Sequence, residues 1–231
     1  MARSTPDDKA VSRTPSCLIV GAGPGIGQAC ARVFAQAGHD VGLLLRTPAR
    51  VEHIVREIRH LSGRRVLGYA ADAADETSLQ AGLRQAMAEL GEPDVLIYNA
   101  ASTQRGRPTT LSTETLLDDF RVNVAGALTA ARVVAPSMVR RGGGSILFTG
   151  GGSAYEPAAD YAALSMGKAA LRSLTYTLAQ ELGRSGVHVG MVTVFGFVQP
   201  GTHFDPGLIA EAYLRLHRQP KGHFEIETVY R

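Results

Sequence analysis

Short apolar runs alternate with longer segments of helical periodicity along almost the whole chain. Cys17–Val20 is the first run and ends at Gly21. Small and apolar residues then recur from Gly27 to Gly38, which predicts a helix with a glycine terminus. His39–Leu45 is a second apolar run. Val51, Ile54, Val55, Ile58 and Leu61 follow at helical spacing, with arginines on the opposite face. Leu67–Ala71 and Val95–Tyr98 read as short strands, separated by a helix over Thr77–Leu90. A polar loop covers Ala101–Thr110. Ser112 then caps a long helix that carries Glu114 and Asp118 in its early turns, passes through Asn123 and reaches Met138. Gly142–Gly144 breaks it. Ser145–Thr149 and Val187–Val194 read as buried strands around a helix over Ala159–Leu182, whose stripe is Leu164, Leu171, Leu174, Leu178 and Leu182. Asp205–His217 reads as a short helix and Phe224–Val229 as a last strand.

The predicted strands are nearly all apolar, as a parallel sheet with helices on both faces requires. The alternation has no internal repeat and no break in composition. It predicts an α/β fold: a single Rossmann-type doubly wound domain over residues 16–231. Residues 1–15 are polar, contain two prolines and lack periodicity, so a flexible tail is expected there.

Composition narrows the function classes. A length of 231 residues suits one α/β domain. With 45% apolar and 19% charged residues, the chain is neither disordered nor fibrous. Aromatics are only 6% and tryptophan is absent, which argues against a base-stacking nucleic-acid binder. The net charge is +3, and the only lysines are Lys9, Lys168 and Lys221. The arginines from Arg46 to Arg65 are the one basic block, and most of them read as the solvated face of a helix, with Glu52 and Arg56 as an i,i+4 pair. Cys17 and Cys30 lie in apolar or small-residue runs, so no disulfide framework is expected. Without a signal peptide or a membrane span, a cytoplasmic protein with no membrane or nucleic-acid partner and no metal is the expectation.

Val20-Gly21-Ala22-Gly23-Pro24-Gly25-Ile26-Gly27 follows a strand and opens a helix. In that context Gly21 permits the tight turn, Gly25 lets backbone approach a pyrophosphate, and Gly27 lets helix pack on strand. The second strand ends Leu44-Leu45-Arg46. An acidic residue at this tip would hold a ribose 2′-hydroxyl, whereas Arg46 can pair with a 2′-phosphate, and Arg50 can assist. NADP(H) is therefore expected over NAD(H).

The order of these motifs resembles the short-chain dehydrogenase/reductase family over roughly residues 15–230. The glycine turn matches the family's TGxxxGxG, with Val20 in place of Thr. Asp72, followed by Ala73, looks like the family aspartate beside the adenine. Tyr98-Asn99-Ala100-Ala101 matches NNAG, and the resemblance implies that Asn99 steadies the central sheet beside the cofactor. Phe120-Arg-Val-Asn123-Val matches the mid-helix asparagine that holds a backbone kink and a relay water. Gly196 and Thr202 fall where the family contacts the nicotinamide amide or the diphosphate, although the usual proline is missing. The family reaction uses Ser, Tyr and Lys. Lys168 matches the lysine, which also binds the nicotinamide ribose. Leu164 stands four residues earlier, where the tyrosine belongs, and Gly151 stands at the serine.

Neither residue can donate a proton, so the resemblance implies a displaced donor. Tyr161, one turn before Leu164 on a shared helical face, is the leading choice and joins Asn123 and Lys168 as the expected catalytic set. Ser153 or Tyr155 can stand in for the serine, Ser165 is expected to point aside, and Glu156 and Asp160 are nearby carboxylates. The segment 198–220 reads as a short substrate lid carrying Pro200, Thr202, Phe204 and Leu208, beside a wall made apolar by Phe195 and Phe197. Two functions follow. One is an NADP(H)-dependent oxidoreductase acting on a small carbonyl, alcohol or imine. The other is a cofactor-binding pseudo-enzyme, a sensor or scaffold. The family also implies a homodimer or homotetramer, paired through the Asn123 helix and the Leu164–Leu182 helix.

Overall fold

The computed structural model describes residues 13–231. Seven strands alternate with seven helices. They are β1 (Ser16–Val20), α1 (Ile26–Gln36), β2 (Asp40–Leu45), α2 (Glu52–Ser62), β3 (Val66–Ala70), α3 (Glu76–Leu90) and β4 (Val95–Tyr98), then α4 (Thr113–Phe120), α5 (Gly126–Arg141), β5 (Gly144–Gly151), α6 (Ala162–Leu182), β6 (Val187–Val194), α7 (Pro206–His217) and β7 (Glu227–Tyr230). All pairings are parallel, in the order β3-β2-β1-β4-β5-β6-β7. Cys17 faces Val41 on one side and Val95 on the other. The order in which strands are added reverses between β1 and β4, which opens a crevice above their carboxyl ends.

The strand side chains divide by parity into two cores. Cys17, Ile19, Leu43 and Ile97 face Phe34 of α1, Ile58 of α2 and Tyr213 of α7. Leu18, Leu44, Leu96 and Phe148 face Leu83 of α3, Ala130 of α5 and Leu171 of α6. This is the doubly wound sheet that the apolar strands predict.

Several expectations change. The helix expected from Ser112 to Met138 keeps its Ser112 cap, whose Oγ accepts the Thr115 N–H at 3.0 Å, but a π-turn over Arg121–Ala125 interrupts it. Three tertiary bonds hold the turn. The Tyr98 hydroxyl donates to the Val122 carbonyl, and the Asn123 side chain leaves the helix for the backbone of Ser102. Gly126 must be glycine, because a Cβ there would lie 2.3 Å from the Tyr98 hydroxyl and 2.4 Å from the Ala73 carbonyl. The combined helix Thr113–Arg141 is long and apolar enough to cross a bilayer by composition, but half of its most apolar window is buried within the fold.

The lid expectation narrows. Residues 206–217 form α7, with Ile209, Ala210, Tyr213 and Leu216 in the core, so only the turns before Asp205 remain outside the body. Of the tail expected over residues 1–15, the structure describes only Arg13, Thr14 and Pro15. Arg13 donates to the Glu92 carbonyl at 2.7 Å and pairs with Asp94 at 2.6 Å, and the rest of the expected tail lies outside the described residues.

Candidate active site

The crevice holds a cavity of about 460 Å3, walled by Gly21, Gly23, Leu45, Arg46, Asp72, Ala73, Asn99, Ala100, Ser102 and Val122. Its floor is built from close backbone approaches. Gly21 has φ +81°, and a Cβ on it would lie 2.4 Å from the Ala100 nitrogen. A Cβ on Gly27 would lie 2.4 Å from the Gly21 carbonyl. Gly23 and Gly25 face open space, Pro24 is exposed and Ile26 is buried beneath the first turn. No side chain caps α1 at Gly25; the Gln28 N–H donates to the Gly23 carbonyl at 3.2 Å, and the Ile26 and Gly27 amides have no partner among the described residues. That cradle fits a dinucleotide diphosphate.

The surrounding polar groups are fixed. Asn99 Nδ2 donates to the Gly21 carbonyl at 2.9 Å, and Thr149 Oγ1 donates to Asn99 Oδ1 at 2.8 Å, so one amide ties β1, β4 and β5 together. Asp72 accepts the Ala74 N–H at 2.9 Å through one carboxylate oxygen. Arg46 is exposed at the end of β2, and none of the ion pairs among the described residues involves it or Arg50. Other arginines of the basic block are spent on the fold: Arg59 on the Val66 carbonyl, Arg65 on the Glu89 carbonyl.

Lys168 rises from α6 to the far side of the crevice. It is 8% exposed, and its ammonium donates to the Thr149 carbonyl at 2.7 Å. Burial lowers its pKa from 10.5 to about 8. Its stem runs past Gly151, where an added Cβ would sit 3.5 Å from Lys168 Cγ, an ordinary contact. Gly167 abuts Asn123, where a Cβ would lie 3.0 Å from the Asn123 Cβ. The α6 lysine and the π-turn asparagine are thus brought together by one glycine. Leu164 is half-buried.

The expected proton donors are placed differently. Tyr161 is not on the helix. It is the N-cap residue of α6, with φ −131° and ψ 48°, so the shared face with Leu164 does not exist. Its backbone is held instead by a bridge to Gly106, and its hydroxyl accepts Arg105 Nε–H at 2.9 Å. Ser165 is buried and fully used, donating to the Tyr161 carbonyl and accepting the Ala158 N–H. The Tyr155 hydroxyl donates to Glu227 at 2.7 Å, which ties the loop after β5 to β7. Asp160 pairs with Arg107 on the surface, and Glu156 and Ser153 are not brought to Lys168 by any observed contact. Thr202 closes its own turn, donating to the Gln199 carbonyl and accepting the Phe204 N–H. Gly196 makes room for Phe204, whose ring would lie 2.3 Å from a Cβ. Across a cleft of about 600 Å3, Pro200, Asp205 and Gly207 face Pro24, Gly25 and Gln28.

Sequence reasoning missed three contributors. Glu227 gathers Tyr155, Arg172, Tyr176 and Thr193 on one carboxylate, which lowers its pKa against the opposing effect of burial. Tyr98 shapes the π-turn. Asp119 is fully buried and accepts the hydroxyl of Ser102. Its spacing of four residues before Asn123 was a readable signal.

A family profile described as short chain dehydrogenase matches residues 16–203. The oxidoreductase UcpA of Salmonella typhimurium is 32% identical over 180 residues, covering 77% of this chain and 67% of that protein. The 2,3-dihydro-2,3-dihydroxybenzoate dehydrogenase of Bacillus subtilis is 30% identical over 176 residues, covering 76% and 67%. Among solved structures, a metagenomic short-chain oxidoreductase in complex with NADP superposes with a TM-score of 0.85 at 27% identity, covering 94% of this chain and 98% of that one. An alcohol dehydrogenase of Thermococcus sibiricus complexed with 5-hydroxy-NADP gives a TM-score of 0.85 at 25% identity, covering 93% and 95%.

Proposed function

The chain belongs to the short-chain dehydrogenase family, and on that premise we propose that it is an NADP(H)-dependent oxidoreductase acting on a small carbonyl, alcohol or imine. One observation carries the reading: an unpaired Arg46 stands at the mouth of a cavity floored by the glycine turn. In this reading the α1 N-terminus takes the diphosphate and Arg46 takes the 2′-phosphate. Asp72 and Ala73 line the adenine end, and Lys168 holds the nicotinamide ribose. The bound cofactor supplies or accepts the hydride. Asn123 keeps the π-turn and the Lys168 face of α6 in register.

The proton that balances the hydride needs a different donor from the family's, because Leu164 and Gly151 carry none. An imine substrate reduces that demand, since a protonated imine brings its own proton. For a carbonyl or alcohol, Tyr161 is the hydroxyl that the sequence puts forward, and Tyr161→Phe tests it through loss of turnover. A homodimer or homotetramer is part of the proposal, supported by Leu117, Phe120, Leu128 and Met166, which are exposed on α4, α5 and α6. A second reading, a cofactor sensor without turnover, draws on the two unreactive positions beside Lys168. NADPH titration followed by a panel of aldehydes, ketones and imines separates them. Turnover supports the oxidoreductase, and tight binding with no turnover supports the sensor. Absence of binding sinks both.

A further inference from the structure

Asp119 lies on α4 one helical turn before Asn123, so the two side chains leave the same face. Its carboxylate is completely buried. Oδ1 accepts the Ser102 hydroxyl, while Oδ2 has no hydrogen-bond partner among the described residues. The nearby cation Arg121 is committed to Asp118. A bare, buried carboxylate oxygen is costly to a fold, and a catalytic role is one reason for a fold to keep one.

Ser102 forms part of the wall of the cofactor cavity, beside Ala100, Ala101 and Val122. Its position is fixed at three points. Its N–H donates to Asn123 Oδ1 at 2.8 Å, its carbonyl accepts Asn123 Nδ2 at 3.0 Å, and its hydroxyl is held by Asp119. A preset hydroxyl thus stands between a buried carboxylate and the cavity. Tyr161, by contrast, is held by Arg105 on an exposed strap.

We propose that Ser102 and Asp119 are the acid–base pair of this protein, an assignment that rests on the oxidoreductase reading above. In the oxidative direction the substrate O–H bond breaks and its proton passes to Ser102 Oγ, while the Ser102 proton passes to Asp119 Oδ1. The substrate C–H bond breaks as the C=O bond forms, and the hydride leaves with its electron pair for NADP+, the oxidant. Reduction runs the same transfers in reverse, with NADPH as the reductant and the Asp119 proton delivered through Ser102 to the new alcohol.

The test compares wild type with Asp119→Asn, Ser102→Ala and Ser102→Thr, using NADPH titration, thermal melting and turnover on the carbonyl and alcohol panel. The pair requires that Asp119→Asn and Ser102→Ala lose about a hundredfold or more in kcat. Ser102→Thr, which keeps the hydroxyl, should recover most of that loss. NADPH affinity should stay within about twofold, and Asp119→Asn should melt within a few degrees of wild type or above it. A purely structural Asp119 would instead lower the melting temperature and the affinity together, which overturns the assignment. Turnover kept in Asp119→Asn overturns it, and so does a wild type that binds NADPH and turns over nothing, although cofactor binding then stands. A wild type that does not bind NADPH removes the oxidoreductase reading itself, and the pair with it.

Discussion

On the β1–β4 side of the crevice, close approaches are made by glycine and, Arg46 apart, the polar side chains Asn99, Thr149 and Asp72 are tied to backbone or to each other. On the β5–α6 side, the two positions flanking Lys168 are Gly151 and Leu164, and neither carries a polar group. The first side serves a ligand recognised through main chain and shape, which leaves little room to substitute. The second serves chemistry that any suitably placed hydroxyl or carboxyl can perform, so its groups can move to other elements. The groups proposed to carry the proton come from the β4–α4 loop and α4 (Ser102, Asp119), and from the cap of α6 (Tyr161).

Substitutions at matched glycines break the comparison most strongly. Gly21→Ala forces a Cβ to within 2.4 Å of the Ala100 nitrogen at φ +81°. It should weaken NADPH binding by about a hundredfold or more, or unfold the protein. Normal binding by this variant, measured by titration, would end the claim that the first side is fixed by backbone fit.

The amino ends of the strands give a control remote from both sides. His39 and His217 stack edge-on at 5.4 Å, and Ser145 Oγ lies 2.9 Å from His217 Nδ1. Burial lowers the pKa of His39, His188 and His217, the last to about 4. The unfolded chain therefore binds protons that the fold refuses, so stability holds above about pH 6.5 and falls as pH drops toward 4. His217 alone accounts for about 2–3 kcal/mol over that window. Urea unfolding at pH 7 and pH 4.5 should show the loss, reduced in His217→Phe, while an equal loss in that variant would remove His217 from the account.

Lys168 sharpens the contrast on the chemical side. Its pKa falls from 10.5 unfolded to about 8 folded, so stability rises with pH between those values. At pH 7 the buried ammonium costs about 3 kcal/mol, less what its bond to Thr149 returns. Lys168→Met should therefore stabilise the protein by about 1–3 kcal/mol at pH 7, with the gain vanishing above about pH 10.5, while NADPH affinity falls. Destabilisation at pH 7, read by urea denaturation, would make Lys168 a structural residue.

The smallest effect belongs to Gly151→Ser. The atoms nearest to an added Cβ belong to the Lys168 stem, at ordinary contact distance, so the melting temperature should move by no more than a few degrees. A large loss would mean that this side is as tightly built as the other.

The sheet was legible because its strands are uninterrupted apolar runs, and the cofactor side because its demand on backbone is written in glycine. The π-turn was legible only through the resemblance, which implies a backbone kink at Asn123; it depends on a hydroxyl from β4 and a loop at residue 102 that no local pattern connects to residues 121–125. Tyr161 was misplaced for a related reason: pairing with Gly106 draws it into a non-helical conformation just ahead of the helix. Asp119 was passed over although it stands four residues before Asn123, because its burial and its bond to the Ser102 hydroxyl are tertiary.

The central claim is a cofactor side built for a 2′-phosphorylated dinucleotide. Its most direct test is titration of wild type and Arg46→Ala with NADPH and NADH. The account predicts that wild type binds NADPH at least about tenfold more tightly than NADH and that Arg46→Ala removes most of this preference without changing NADH affinity. Equal affinities in wild type, or an undiminished preference in Arg46→Ala, would contradict it.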